Sequence, residues 1–169
     1  LANYETNGRW PVLRESQSET LRLANTGMAV IVDIGDPHNI HPTDKQDVGL
    51  RLALAARAIA YHQQVEFSGP VFRTAAPEGG AMRVYFTHSA GMTARGGGAV
   101  KGFELAGADG KYAPAEAHVE GGAIVLSSPA VPSPVSVRYG WADDPDCNLV
   151  NQAGLPASPF RGDVPRFGW

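Results

Sequence analysis

His41 stands in the run Gly35-Asp36-Pro37-His38-Asn39-Ile40-His41-Pro42, between the apolar stretch Met28-Ala29-Val30-Ile31-Val32-Asp33 and the polar start of a helical pattern, Thr43-Asp44-Lys45-Gln46. Histidine takes up and returns a proton at neutral pH because its unperturbed pKa is about 6.5. Consecutive apolar residues suit a strand covered on both faces, as in a parallel sheet, and ligands of open parallel sheets gather beyond the carboxyl ends of the strands. His41 is expected near such an end. Thr43, with Gln46 three positions later, fits a capping box, which sets His41-Pro42 at the positive end of the following helix. A neutral imidazole and an anionic intermediate are both favoured there, so a hydrolase would place a general base at this point. The competing reading is a histidine that only caps the strand end or bonds a backbone carbonyl.

His38 and His41 at a three-residue spacing, with Asp36, suggest a metal set. Zinc sites use three or four ligands, and Pro37 in so short a loop opposes their convergence. No metal or cofactor is expected, and His38 is read as a solvent-facing residue or part of a substrate rim. His62, His88 and His118 are scattered and read as ordinary surface or hydrogen-bonded residues. None of Ser68, Ser89, Ser127, Ser128, Ser133, Ser136 and Ser158 lies in a Gly-x-Ser-x-Gly elbow, so each reads as a turn or strand residue. Gly96-Gly97-Gly98 is not followed by a helical pattern and reads as a hairpin turn rather than an anion cradle. Tyr139 and Trp141 offer either an aromatic face to a sugar or, more simply, core and interface packing.

At these residues the chain resembles the sialate O-acetylesterase family, carbohydrate O-acetylesterases of the SGNH hydrolase superfamily. The resemblance is carried by Thr26-Gly27-Met28-Ala29-Val30 leading into Asp33-Ile34-Gly35-Asp36, by Ile40-His41-Pro42 with Lys45-Gln46, and by the Gly49-Leu50-Arg51-Leu52-Ala53-Leu54 helix. Leu155-Pro156-Ala157-Ser158-Pro159-Phe160-Arg161 extends it, so that it covers most of the chain and matches the carboxyl-terminal part of the family. It implies that His41 is the catalytic base. The family's serine nucleophile belongs to a block that opens the hydrolase domain, and no stretch here matches that block.

The chain departs from the superfamily at the acid. The usual Asp-x-x-His spacing falls on His38, and an Asp-Ile-His spacing falls on Asn39. Asp36, five residues before His41, is then the candidate to orient the imidazole, with Asp33 behind it. A Ser-His dyad, in which Asn39 or a carbonyl orients His41, is the alternative.

A chain of 169 residues is long enough for one domain with a real core or for two small units sharing an interface. A net charge of −3 with scattered basic residues excludes a cationic footprint, so neither nucleic acid nor an anionic membrane is an expected partner. Cys147 stands alone, so no disulfide forms within the chain. No apolar run has spanning length and no signal peptide is present, while Leu1 in place of methionine reads as processing or a fragment.

Three segments are expected. Residues 1–64 form the carboxyl-terminal segment of the hydrolase domain, with Leu1–Tyr4 leaving a strand and a helix from Trp10 to Leu23 that turns Val12, Leu13, Leu21 and Leu23 to one side. The Met28–Asp33 strand follows, then a helix from Asp44 to about Gln63 with Val48, Leu52, Ala55 and Ile59 on one face. Residues 65–147 alternate in short runs such as Arg83–Thr87, Ala123–Leu126 and Val135–Tyr139. Turn signals at Asp109-Gly110 and Glu120-Gly121-Gly122 separate them, which predicts an antiparallel β unit. Residues 148–169 hold too many prolines for a central strand and are expected to wrap back as an ordered loop against the hydrolase part.

The fold class is thus α/β: the carboxyl-terminal part of an SGNH domain, flavodoxin-like and three-layered, followed by a small antiparallel sandwich or partial jelly roll. The resemblance implies a secreted or periplasmic carbohydrate acetylesterase that hydrolyses acetyl esters on sugars by a Ser-His(-Asp) mechanism. An upstream portion of the same enzyme would supply the serine, and an acetylated carbohydrate would be the substrate. A glycan-binding or purely structural β module without catalysis is the other reading.

Overall fold

Paired glycines set the strand order of this chain. The computed structural model describes residues 1–164. Strands β1 (Val71–Glu78) and β2 (Ala81–Thr87) are joined through Gly79-Gly80, with Glu78 opposite Ala81. Strands β6 (Glu116–Glu120) and β7 (Ala123–Ser127) are joined through Gly121-Gly122, with φ values of +57° and +79°. Two successive positive φ angles are what the tightest hairpin loops demand, and glycine adopts them without a steric penalty. The resulting antiparallel sheet runs β1-β2-β7-β6.

A second antiparallel sheet runs β10-β8-β4-β5, from β10 (Phe160–Asp163), β8 (Ser136–Tyr139), β4 (Phe103–Ala106) and β5 (Tyr112–Pro114). Two short strands, β3 (Thr93–Ala94) and β9 (Leu149–Val150), pair with each other. Met82, Val84, Ile124 and Leu126 of the first sheet share one core with Phe103, Leu105, Val137 and Tyr139 of the second. Alternate residues of β2 are buried, as period-two patterning requires. The chain is therefore a mixture of helix and antiparallel sheet. All three runs expected to be strands are strands, and Asp109-Gly110 does turn β4 into β5. Gly96, Gly97 and Gly98 all have positive φ, but β3, which precedes them, pairs with distant β9, so the turn joins no hairpin.

The tail departs from expectation. Arg161 does reach Glu15 of α1, but parts of the tail are strands rather than loop: Leu149–Val150 joins β3, and Phe160–Asp163 adds an edge strand to β8. Pro156 and Pro159 lie between these strands, so no ladder position inside a sheet is lost to them. Phe160 stacks on Phe72 at 4.4 Å and enters the core, a contact that Gly162 permits because a Cβ there would strike the Phe72 ring. Residues 165–169 of the expected tail lie outside the described residues.

Before β1 the chain is helical. Helix α1 spans Trp10–Ser18 and passes into a tighter 3-10 turn over Glu19–Arg22, and helix α2 spans Lys45–Ile59. Pro11 sits in the first turn of α1, where its missing N–H removes nothing. The buried face of α1 is the reverse of the one expected: Pro11 and Arg14 are buried, whereas Val12, Leu13, Leu21 and Leu23 are exposed. Asp143, from the loop after β8, accepts hydrogen bonds from the backbone N–H groups of Thr6, Gly8 and Trp10, capping α1 from the far side of the sequence. Burial pushes its carboxyl upward, but these backbone donors prevail and hold it below the usual carboxylate range.

Two further corrections concern the segment around His41. Met28–Asp33 is not assigned as a strand; Leu1 donates to Ala29 O and accepts from Ile31 N at 2.8 Å, the bond pattern of a parallel pair, and there the pairing ends. A strand is a property of the pair, so apolar residues without a continuous neighbour do not form one. The cap of α2 is Asp44, not Thr43: Asp44 Oδ1 accepts from Asp47 N at 3.0 Å. Aspartate caps at least as well as threonine, and it lies one residue nearer the helix.

Arg14 is 1% exposed and donates to the carbonyl oxygens of Ala2, Gly140, Ala142 and Asp143 and to Asn3 Oδ1. Burial lowers its pKa to about 10, against the pull of Cys147, Asp143 and Asp144, so it is a cation at neutral pH. Arg14→Met is expected to strand these acceptors in the interior and to lower stability by about 3 kcal/mol or more, measured by urea unfolding. Asp44→Ala should cost about 1 kcal/mol in the same measurement and Thr43→Ala only a few tenths; equal losses would return the cap to Thr43. Burial also raises the Cys147 thiol from 9.0 to about 11, and the buried Tyr139 phenol shifts the same way. Between pH 9 and 11 the unfolded thiol ionises while the folded one stays protonated, so stability falls as pH rises through that window. The fall should be shallower in Cys147→Ala.

Candidate functional site

The segment from Asp33 to Asp44 is ordered by short-range side-chain-to-backbone bonds. Asp36 Oδ1 accepts from His38 N at 2.8 Å, Asn39 N donates to Asp36 O at 3.2 Å, and Asn39 Oδ1 accepts from His41 N at 3.0 Å. These are two successive Asx turns, which Asp and Asn form readily. Pro37 O accepts from Glu5 N, and Pro42 is buried, so the loop is also held from outside. His41 is exposed, and among the described residues its ring makes no hydrogen bond or ion pair.

The structure thus places Asp36 and His41 on one loop and directs an oxygen of Asp36 to the amide of His38. Asn39, the alternative orienting group, holds the backbone of His41 rather than its imidazole. His38 is exposed, with Nδ1 3.4 Å from Glu5 Oε2. His62 and His118 are exposed, and His88 Nδ1 lies 2.6 Å from Glu66 Oε1. No hydrogen bond among the described residues joins a serine to a histidine ring: Ser68 donates to Gly69 O, Ser128 to Pro114 O and Ser136 to Asp163. Tyr139 is buried in the core and accepts from Leu149 N, and Trp141 lies under the Arg161 guanidinium at 5.2 Å. No group of three or more His, Cys, Asp or Glu among the described residues is arranged to hold a metal ion.

Sequence reasoning missed the charged cluster behind the loop. Asp33, its side chain 9% exposed, is gripped by Arg51 of α2 through two bonds, Nη1 to Oδ1 at 2.6 Å and Nη2 to Oδ2 at 2.9 Å. Arg51 also donates to Val30 O at 2.7 Å and lies 3.4 Å from Asp47. Arg95 Nη2, arriving from beyond β3, lies 2.8 Å from Asp33 Oδ2 and donates to Gly154 O. The hydrogen bonds and charge of Asp33 outweigh the burial of Arg51 and raise its pKa, so the guanidinium is firmly cationic. A signal for this existed: Arg51 falls between Val48 and Leu52 and four residues before Ala55, on the face expected to be apolar.

Beside the loop an apolar groove of about 640 Å³ lies open, lined among others by Leu1, Trp10, Leu13, Met28, Ile40 and Leu52. No helix among the described residues is long and apolar enough to cross a membrane.

No protein-family model matches the chain. Individual proteins do. Sialate O-acetylesterase from Mus musculus is 27% identical over 164 residues, which span 87% of this chain and 30% of that protein. The Homo sapiens sialate O-acetylesterase is 46% identical over 55 residues, 30% of this chain and 10% of the human protein. A crystal structure of a carbohydrate acetylesterase from Xanthomonas citri superposes with a TM-score of 0.91 at 50% identity, covering 96% of this chain and 40% of that one. The chain therefore spans less than half the length of these relatives. By sequence and by fold it belongs to the carbohydrate acetylesterase family that includes the sialate O-acetylesterases, and it corresponds to part of the length of those proteins.

Proposed function

We propose that the chain is the base-bearing, carboxyl-terminal portion of a carbohydrate O-acetylesterase. The observation that carries this is the likeness to the Xanthomonas citri carbohydrate acetylesterase along nearly the whole chain. An exposed His41 ring on a loop ordered through the backbone amides of His38, Asn39 and His41 supports it. In this reading residues 1–64 complete an SGNH domain, residues 65–147 form the sandwich-like β unit, and residues 148–169 are the tail bound to it. The open groove beside Met28 and Leu13 receives the upstream portion of the same enzyme, which carries the serine. Contiguous exposed apolar surface of this kind marks a contact site. The family resemblance is the ground for a secreted or periplasmic location.

The chemistry follows the serine template. His41 takes the proton of the serine hydroxyl as its oxygen attacks the acetyl carbonyl, and the tetrahedral intermediate collapses as His41 returns the proton to the departing sugar oxygen. Water then attacks the acetyl-serine, again through His41, and acetate leaves. Asp36 is the proposed orienting carboxylate. To serve His41 it turns an oxygen toward the ring, while the Asx turn to His38 occupies the other.

His41→Ala in the complete enzyme is expected to lower turnover of an acetylated sugar by about 10⁴-fold with KM little changed, because the base acts only as the transition state forms. A serine-directed organophosphorus probe should label a serine outside this sequence. Near-normal turnover in the variant would return the chain to a glycan-binding or structural role, and a label on any serine of residues 1–169 would put the nucleophile in this chain and overturn the upstream supply of the serine.

A further inference from the structure

We infer that Arg95, a residue of the β unit, is a positioning residue for the His41 loop, acting through Asp33. The inference rests on His41 being the base. Asp33 begins the segment that carries His41, and α2 ends it. The bidentate Arg51–Asp33 pair therefore closes this segment into a loop, joining its first residue to the second turn of α2. Within the loop, the bonds from Asp36 to His38 and from Asn39 to His41 each span two residues. They set its local shape but say nothing of where it points. Its direction is set by the hold on Pro37 from Glu5, by the buried Pro42 and by its ends, where the charged contact at Asp33 is the most buried ion pair of the segment.

Arg95 adds a third element to that contact. Its Nη2 is shared between Asp33 Oδ2 at 2.8 Å and Gly154 O at 2.8 Å, so the carboxylate is tied to the turn after β9 as well as to α2. Two guanidiniums facing one carboxylate, with Asp47 near Arg51, leave the cluster close to neutral. Arg51 grips both oxygens of Asp33 from α2, and Arg95 meets Oδ2 from the side of the β unit, so the carboxylate is held from two directions. The β unit then belongs to the machinery that aims the base, and is more than an appended module. Arg95 is 45% exposed at its side chain while Arg51 is 6% exposed, so loss of Arg95 leaves the buried pair intact and the fold standing.

The test is steady-state kinetics of the complete enzyme with an acetylated sugar, comparing wild type, Arg95→Gln, Arg95→Lys and His41→Ala. Displacing a reacting group by a fraction of an ångström to 1 Å costs up to about 100-fold, so Arg95→Gln is expected to lower kcat roughly tenfold with KM within about twofold. Arg95→Lys, which keeps the charge, should recover most of the loss, and circular dichroism should report the same folded fraction in both. A kcat for Arg95→Gln within about twofold of wild type, beside a His41→Ala variant that is nearly inactive, overturns the positioning role and leaves the base assignment standing. A loss matched by lost folded protein, carried by KM, or not recovered by lysine overturns it equally. If His41→Ala retains its rate, the base assignment fails first and the inference with it.

Discussion

The guanidinium of Arg14 is the constraint on which the arrangement of this chain depends. It leaves α1, passes into the interior and gathers carbonyls from Ala2 on one side and from Gly140, Ala142 and Asp143 on the other. A carbonyl at the end of a strand has lost its ladder partner and, once buried, must find another donor. Arg14 supplies several donors from one planar group, so the start of the chain, α1 and the exit of β8 are fixed by a single side chain. Asp143 completes the exchange in the opposite sense: the loop that gives carbonyls to Arg14 takes amide protons from Thr6, Gly8 and Trp10. The helix is therefore oriented by polar contacts, and its apolar side is left to the groove.

The same logic recurs at Asp33. A carboxylate that enters the interior is tolerated when its charge and its lone pairs are answered together, and Arg51 and Arg95 answer both. Arg14, Arg95 and Arg161, the last bound to Glu15 of α1, each join the helical segment to the β unit. Such junctions specify geometry more sharply than apolar contact does, because a guanidinium fork has one good approach to a carboxylate whereas apolar surfaces slide at small cost.

How much of this could be read from the residues depends on how local the cause is. Asp109-Gly110 and Gly121-Gly122 determine their turns through their own backbone preferences and were legible for that reason, as were the alternating runs that became β2, β7 and β8; Gly79-Gly80 acts in the same way. The cap of α2 was misplaced by one residue because Thr43 and Asp44 are both good caps and only the helix decides between them. The inward face of α1 was invisible, since three of the carbonyls that draw Arg14 inward, those of Gly140, Ala142 and Asp143, lie more than a hundred residues away in sequence. Met28–Asp33 has the composition of a buried strand, but composition shows only that a segment suits pairing; the pairing itself depends on neighbours, and Leu1 supplies two bonds. Of the candidate site, the loop between Asp33 and Asp44 and the helix start behind it were legible. The carboxylate that turned out to be most firmly held was Asp33, whose partners come from α2 and from the β unit.

That contrast bears on how a general base is built. A base must keep one ring nitrogen for the proton it moves and the other for the group that orients it, so whatever orders the loop has to act elsewhere. Here the order comes from backbone amides: those of His38 and His41 are taken up by Asp36 and Asn39, which rigidifies the turn without engaging the imidazole. In the proposed positioning role, direction falls on Asp33, a group set back from the loop's open side. Asp33 can carry it because its charge is neutralised from two elements at once, and an ion pair shielded from water is weakened less by salt than one at the surface. The loop is thereby held at its root and left open at the His41 ring, an arrangement that suits the proposal of a serine met from outside the loop.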